Sequence, residues 1–229
     1  MKKSDIQETL VSLYLRLNGY FVSGFIVHSP SGNRAGNRTQ VDALGIRLPY
    51  NSEPQREVKP SDYLQIPNGV ADIVLCEVKG GHEPLQFNVA LREDDAIRSV
   101  LRWVGAFEEN EVEALAKTLK AILTPSHPDS PDTFRTIPSK DGRYQLRTML
   151  FAPDRPEPRK NQTRYVHGAE IVGFINKCLR PPQARLHCST RYDFGLWGGV
   201  YEPIVRIIKG TNHDVSLPEI YQALVNRDA

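Results

Sequence analysis

Cysteine is scarce in this sequence: Cys76, Cys178 and Cys188 are three in 229 residues, an odd number without the spacing of a disulfide framework. That excludes a small disulfide-stapled secreted scaffold and is the usage expected of a reducing cytoplasm. No uninterrupted apolar run approaches the roughly 18 residues of a membrane span. The opening MKKSDIQETLVSLYLRL sets Asp5, Gln7 and Glu8 where a signal peptide needs an apolar stretch. The expectation is a soluble, cytoplasmic protein with no membrane partner. Neither sign of charge dominates, because 29 Lys and Arg stand against 27 Asp and Glu, and a net charge of +2 does not by itself announce nucleic acid. Phosphate-loop and dinucleotide fingerprints are missing, and a doubled GNR is too short to be a structural repeat. His187 and Cys188 are adjacent with no second ligand pair at zinc spacing.

What is present is one sizeable domain's worth of patterned chain. Ser4 followed by Gln7 reads as a capping box, and Ile6, Leu10, Leu13 and Leu17 recur at helical spacing up to Gly19, predicting a helix over 4–18. Strands are predicted over 20–28 and 39–48, the second with Asp42, Leu44, Ile46 and Leu48 on one face. A polar insertion fills 49–69, and a third strand follows over 71–79. Behind a possible Asn88 cap, Ile97, Val100, Leu101 and Val104 mark a long amphipathic helix, and 112–123 a shorter one. Four prolines make 124–142 loop, 143–152 is a fourth strand, and 169–179 is a helix. Residues 199–210 fit a strand or a short helix, and 217–227 a terminal helix after Ser216. The whole is read as a single domain over 1–229, with a core over 1–152 in the order αβββαβ and a C-terminal extension over 153–229.

Chemistry concentrates in ADIVLCEVKGG, residues 71–81. Alternation along a strand puts Ile73, Leu75, Glu77 and Lys79 on one side and Asp72, Val74, Cys76 and Val78 on the other. An acid and a lysine ending an apolar stripe can be a mutually paired rim feature and nothing more. Asp42 widens the choice, because a neighbouring strand can bring a second carboxylate to the same place. Oxygen-rich groupings of this kind suit Mg²⁺ or Mn²⁺. A cation there activates water, and an adjacent ammonium stabilises charge on a phosphate.

A helix, strands bearing an Asp and then Glu-x-Lys, a further helix and a strand together resemble the PD-(D/E)XK nuclease superfamily, whose fold is restriction-endonuclease-like. The resemblance spans about two-thirds of the chain. It implies an α/β fold with a mixed central sheet flanked by helices, and a Mg²⁺- or Mn²⁺-dependent nuclease acting on DNA ahead of RNA in restriction, defence or junction processing. It implies Asp42 and Glu77 as metal ligands, the Val78 carbonyl as a further ligand and Lys79 as the catalytic lysine. Glu8 matches the acid that several branches carry on the first helix. Val41 stands where the motif has proline, and the 49–69 insertion spreads Asp42 and Glu77 to 35 positions apart. A homodimer or a defence-complex partner is expected by the same analogy.

Phosphate contacts are expected from Arg34 and Arg38 in the loop before Asp42, and from Arg98 and Arg102 on the helix after the motif, although a stripe such as Asp94, Arg98 and Arg102 also describes a solvated salt-bridge face. Gln40 and His82 flank the motif residues. Glu53, Glu57 and Asp62 are competing acids without a strand, and Asp72 competes from the wrong face. Trp103 fits the core, and Trp197 is the better base-stacking candidate. The rival function is a non-catalytic nucleic-acid-binding or scaffold subunit that keeps the same fold.

Overall fold

The computed structural model describes residues 1–28, 37–52, 58–124, 136–159, 164–180 and 197–225. Helix α1 (Lys3–Leu17) buries residues around most of its circumference, with Ile6, Leu10, Val11, Leu13, Tyr14 and Leu15 all at 0 % exposure. It therefore packs on two sides. Ser4 does not cap it. The helix starts one residue earlier than the spacing predicts, and the Asp5 carboxylate accepts from the Lys2 N–H at 3.3 Å. Its stop is the expected one: Gly19 adopts φ +86°, and the N–H groups of Gly19 and Tyr20 donate to the carbonyls of Arg16 and Leu15.

Six strands form one sheet: β1 (Phe21–His28), β2 (Asn37–Arg47), β3 (Ala71–Val78), β4 (Thr136–Pro138), β5 (Tyr144–Ala152) and β6 (Val166–His167). Their order is β1-β2-β3-β5-β4, with β6 pairing the far end of β5 beyond β4. The pairs β1-β2, β2-β3 and β4-β5 are antiparallel, whereas β3-β5 and β5-β6 are parallel. The sheet is therefore mixed and open. The parallel step from β3 to β5 needs a crossover, supplied by α2 (Asp94–Val104) and α3 (Glu109–Leu123) on one face. The other face carries α1 and, outside it, α4 (Gly168–Leu179), α5 (Gly198–Gly210) and α6 (Leu217–Val225).

Alternation along β3 feeds both layers. Val74 and Cys76 enter the core on the α1 side, and Ile73 and Leu75 enter the core under α2 and α3. Asp72 does lie on the side away from Glu77, where it pairs with Arg147, a guanidinium only 2 % exposed. Arg147 Nε donates to Asp72 Oδ1 at 2.8 Å and Nη1 to the Leu64 carbonyl at 2.7 Å. This buried pair fastens the insertion to the centre of the sheet.

Three further expectations change and one open choice is settled. The single long helix behind Asn88 is a 3₁₀ turn over Val89–Arg92 followed by α2, whose N-cap is Glu93; Asn88 makes no side-chain cap bond. The break is held by Arg92, whose guanidinium donates to the Phe87 carbonyl at 2.6 and 3.1 Å. Residues 136–138, read as loop, add strand β4. Residues 198–210 settle as helix. Trp103 is 44 % exposed rather than packed in the core. Among the described residues, no helix is long and apolar enough to cross a membrane.

Candidate active site

The β2-β3 ladder ends at the pair Ala43 and Cys76, while β3 runs on beside β5 to Val78 and Phe151, and the Lys79 N–H still donates to the Phe151 carbonyl at 2.8 Å. Strands β2 and β3 therefore part just where the charged residues begin. A bulge in β2 sits at the same level. Ser23 faces Leu44 and Phe25 faces Val41, so Asp42 and Ala43 together oppose the single residue Gly24. The extra residue breaks the alternation assumed for Asp42, Leu44, Ile46 and Leu48, and Val41 packs with Leu44 under α2 and α3 although three positions separate them. Bulges re-aim side chains. Here Asp42 turns into the gap, where its Oδ2 accepts from the Val78 N–H at 2.7 Å.

Glu77 and Lys79 meet on the other arm of the gap. Lys79 Nζ donates to Glu77 Oε1 at 2.7 Å, with side-chain exposures of 12 % and 5 %. Glu77 Oε2 is buried. Burying an anionic oxygen is expensive, and the Glu77 carboxyl is raised above its ordinary value by burial first, opposed by Lys79 and the Asn88 backbone N–H and reinforced by the Asp42 charge. Asp42 is also raised, first by burial, against the Val78 N–H and Lys79, with Glu83 adding to the rise. Glu8, half-buried on α1, is pushed from 4.5 to about 7 by burial, then by the charges of Asp42, Asp5 and Glu77. The three acids expected of the site thus feel one another electrostatically. Crowded carboxylates with raised pKa values in a gap between strands make that gap a functional-site candidate.

Among the described residues, no group of three or more His, Cys, Asp and Glu side chains stands at metal-holding spacing. Glu77 is held by Lys79 and Asp42 by a backbone N–H, so each acid is already engaged. The candidate ligand atoms are nevertheless oxygens, the type a hard divalent cation takes, and Glu77 Oε2 is a buried carboxylate oxygen. Asp42, Glu77 and the Val78 carbonyl would hold such an ion, with Glu8 nearest in field.

The other expected contacts are distributed differently. Arg34 lies outside the described residues, as do the side chains of Arg38 and Gln40, and so do Glu53, Glu57, His187 and Cys188. Arg98 forks onto Glu113 of α3 at 2.7 and 3.1 Å, and Arg102 donates to Glu109 at 3.0 Å. Both guanidinium groups have carboxylate partners joining α2 to α3, the solvated face that their spacing also allowed. His82 is exposed. Trp197 lies against Arg16, whose guanidinium carbon stands 4.7 Å from the ring centre. Two residues escaped the sequence reading. Glu83 Oε2 stands 4.0 Å from Lys79 Nζ, a meeting produced by the turn over Gly80 and Gly81 rather than by any regular period. Asp154 accepts from Gln7 at 2.9 Å, Lys3 at 2.7 Å and Tyr221 at 2.7 Å, tying α1 and α6 to the loop after β5.

No protein-family model, curated protein or solved structure matches the chain. The reading of the site therefore rests on its own geometry.

Proposed function

We propose that this chain is a divalent-metal-dependent nuclease, with a restriction-endonuclease-like core, that hydrolyses the phosphodiester backbone of DNA. The observation that carries the reading is the buried Glu77 carboxylate bonded to the Lys79 ammonium, at the point where β2 and β3 part around Asp42. A Mg²⁺ or Mn²⁺ ion, when bound, supplies Lewis-acid activation of water and neutralises charge on the phosphate. Asp42 and Glu77 hold it, and the bulge fixes the aim of Asp42. Lys79 orients the attacking water and offers a proton donor to the phosphate oxygens. Glu8 lies on the α1 side of the gap, where burial and the charges of Asp42, Asp5 and Glu77 raise its carboxyl to about 7, and a cation held by Asp42 and Glu77 would lower it again.

The test is cleavage of plasmid, linear DNA and RNA by purified protein with Mg²⁺ or Mn²⁺, beside the Asp42→Ala and Lys79→Met forms. Cleavage by the wild type alone supports the reading. Equal rates for wild type and Asp42→Ala remove its chemistry.

One observation favours a second reading. Lys79 occupies Glu77, and no three-acid group is assembled among the described residues, as expected of a nucleic-acid-binding or scaffold subunit that has kept the fold without the reaction. Calorimetric titration with Mn²⁺ separates the two, since a scaffold shows no binding that depends on Asp42 and Glu77.

A further inference from the structure

Glu83 is the acid that the motif does not explain. It is not a loose surface side chain, because its Oε1 accepts from the Gly80 N–H at 3.3 Å, its own N–H donates to the Gly80 carbonyl at 3.3 Å, and its carbonyl accepts from Arg155. A β-carbon on Gly80 would stand 2.8 Å from Glu83 Oε1, so glycine is what lets the carboxylate fold back over the turn. The other oxygen then faces Lys79. Lys79 Nζ lies between two acids, bonded to Glu77 at 2.7 Å and 4.0 Å from Glu83. Of the two, Glu77 is the buried one and Glu83 the 60 % exposed one.

A lysine bonded to Glu77 competes with any cation for that carboxylate, and its ammonium repels the incoming charge. We propose that Glu83 is the receiving counter-ion for Lys79: when Glu77 is engaged by a divalent cation, Lys79 leaves it and is held by Glu83. The turn Lys79-Gly80-Gly81-His82-Glu83 is then a two-position mount for one ammonium. Glu83 is a positioning residue, since it acts on the reaction through Lys79. This inference rests on the nuclease reading, and it adds a residue that the reading does not require.

The test is a double-mutant cycle on Mn²⁺ binding, followed by titration calorimetry without nucleic acid in wild type, Glu83→Gln, Lys79→Met and the double variant. Glu83→Gln is expected to weaken Mn²⁺ binding by about fivefold, the upper end for a partly exposed ion pair. In the Lys79→Met background the same change is expected to weaken binding by less than about twofold, because no ammonium remains to be received and only the direct field of Glu83 on Asp42 is lost. In cleavage assays Glu83→Gln should lower kcat more than it raises KM, and Glu83→Asp should recover part of the loss. Equal weakening in both backgrounds means that Glu83 acts directly on the cation and overturns the proposal. So does wild-type affinity in Glu83→Gln. If wild type binds no Mn²⁺ at all, the nuclease reading falls and this inference falls with it.

Discussion

Replacing Glu8 by Gln should make the protein more stable at pH 8 and leave it unchanged at pH 4. The folded state raises this carboxyl from 4.5 to about 7, first by burial and then by the charges of Asp42, Asp5 and Glu77. An acid raised on folding binds more protons folded than unfolded, so stability falls as pH climbs through the interval between the two values. Below pH 4.5 both states are protonated and Glu8 costs nothing. Above pH 7 both are ionised and the whole penalty is present. At 1.36 kcal/mol for each pH unit the interval corresponds to about 3 kcal/mol. The side chain is only partly buried, so solvent screens its interactions, and about 1 kcal/mol is the discounted expectation. Urea unfolding of wild type and Glu8→Gln at pH 4, 6 and 8 measures it. The variant should gain about 1 kcal/mol at pH 8, part of that at pH 6 and none at pH 4. Saturating Mn²⁺ should narrow the gap, because wild type then regains more through ligand binding than the variant does. A gain of equal size at pH 4 and pH 8 would trace to helix propensity rather than to crowded charge, and a loss at pH 8 would show that Glu8 does not face the other two acids.

Three further outcomes test the frame around the site. Asp72→Ala strands the Arg147 guanidinium, 2 % exposed, without its carboxylate, and should cost about 3–5 kcal/mol in chemical unfolding; a cost below 1 kcal/mol would mean that water reaches the pair. Gly168→Ala puts a β-carbon 1.9 Å from the Pro153 carbonyl oxygen, a backbone atom that cannot swing aside, so a loss of about 1–3 kcal/mol by thermal melting is expected, and an unchanged melting temperature would refute the close approach. Ending the chain after Ala152 removes β6 and α4–α6 and uncovers the outer side of α1, including Tyr14; the truncated chain should fail to unfold cooperatively by circular dichroism, and a sharp transition would show that residues 1–152 fold alone.

Elements with one strong period were legible in the sequence. Helix α1 ends where Gly19 supplies a left-handed residue, and β3 is bounded within one residue of its apolar run. What failed were the places where a contact outside any regular period decides the backbone. The turn before α2 depends on Arg92 reaching back to the Phe87 carbonyl, and β4 exists because Ile137 finds Leu146 across an antiparallel ladder. Proline counting could not foresee that partner. Arg147, the counter-charge of Asp72, has no regular period to announce it. Its position in a run of apolar residues on β5 was the available signal, since a cation there must either leave the strand or find an acid.

The bulge is where sequence and structure differ most for function. Strict alternation aligns Asp42 with Leu44, Ile46 and Leu48, and a carboxylate held in that row would sit over the apolar layer under α2 and α3. With Asp42 and Ala43 sharing one partner, Leu44 keeps its place in that layer while Asp42 is freed to reach the Val78 N–H. The side chain thereby stands in for the ladder bond that the parting strands give up. Deleting one residue of the 42–43 pair would restore alternation and return Asp42 to the row. The sheet would be more regular and Asp42 would lose its reach to the Val78 N–H, so the irregularity in β2 is what lets this carboxylate close off the end of the parting strands.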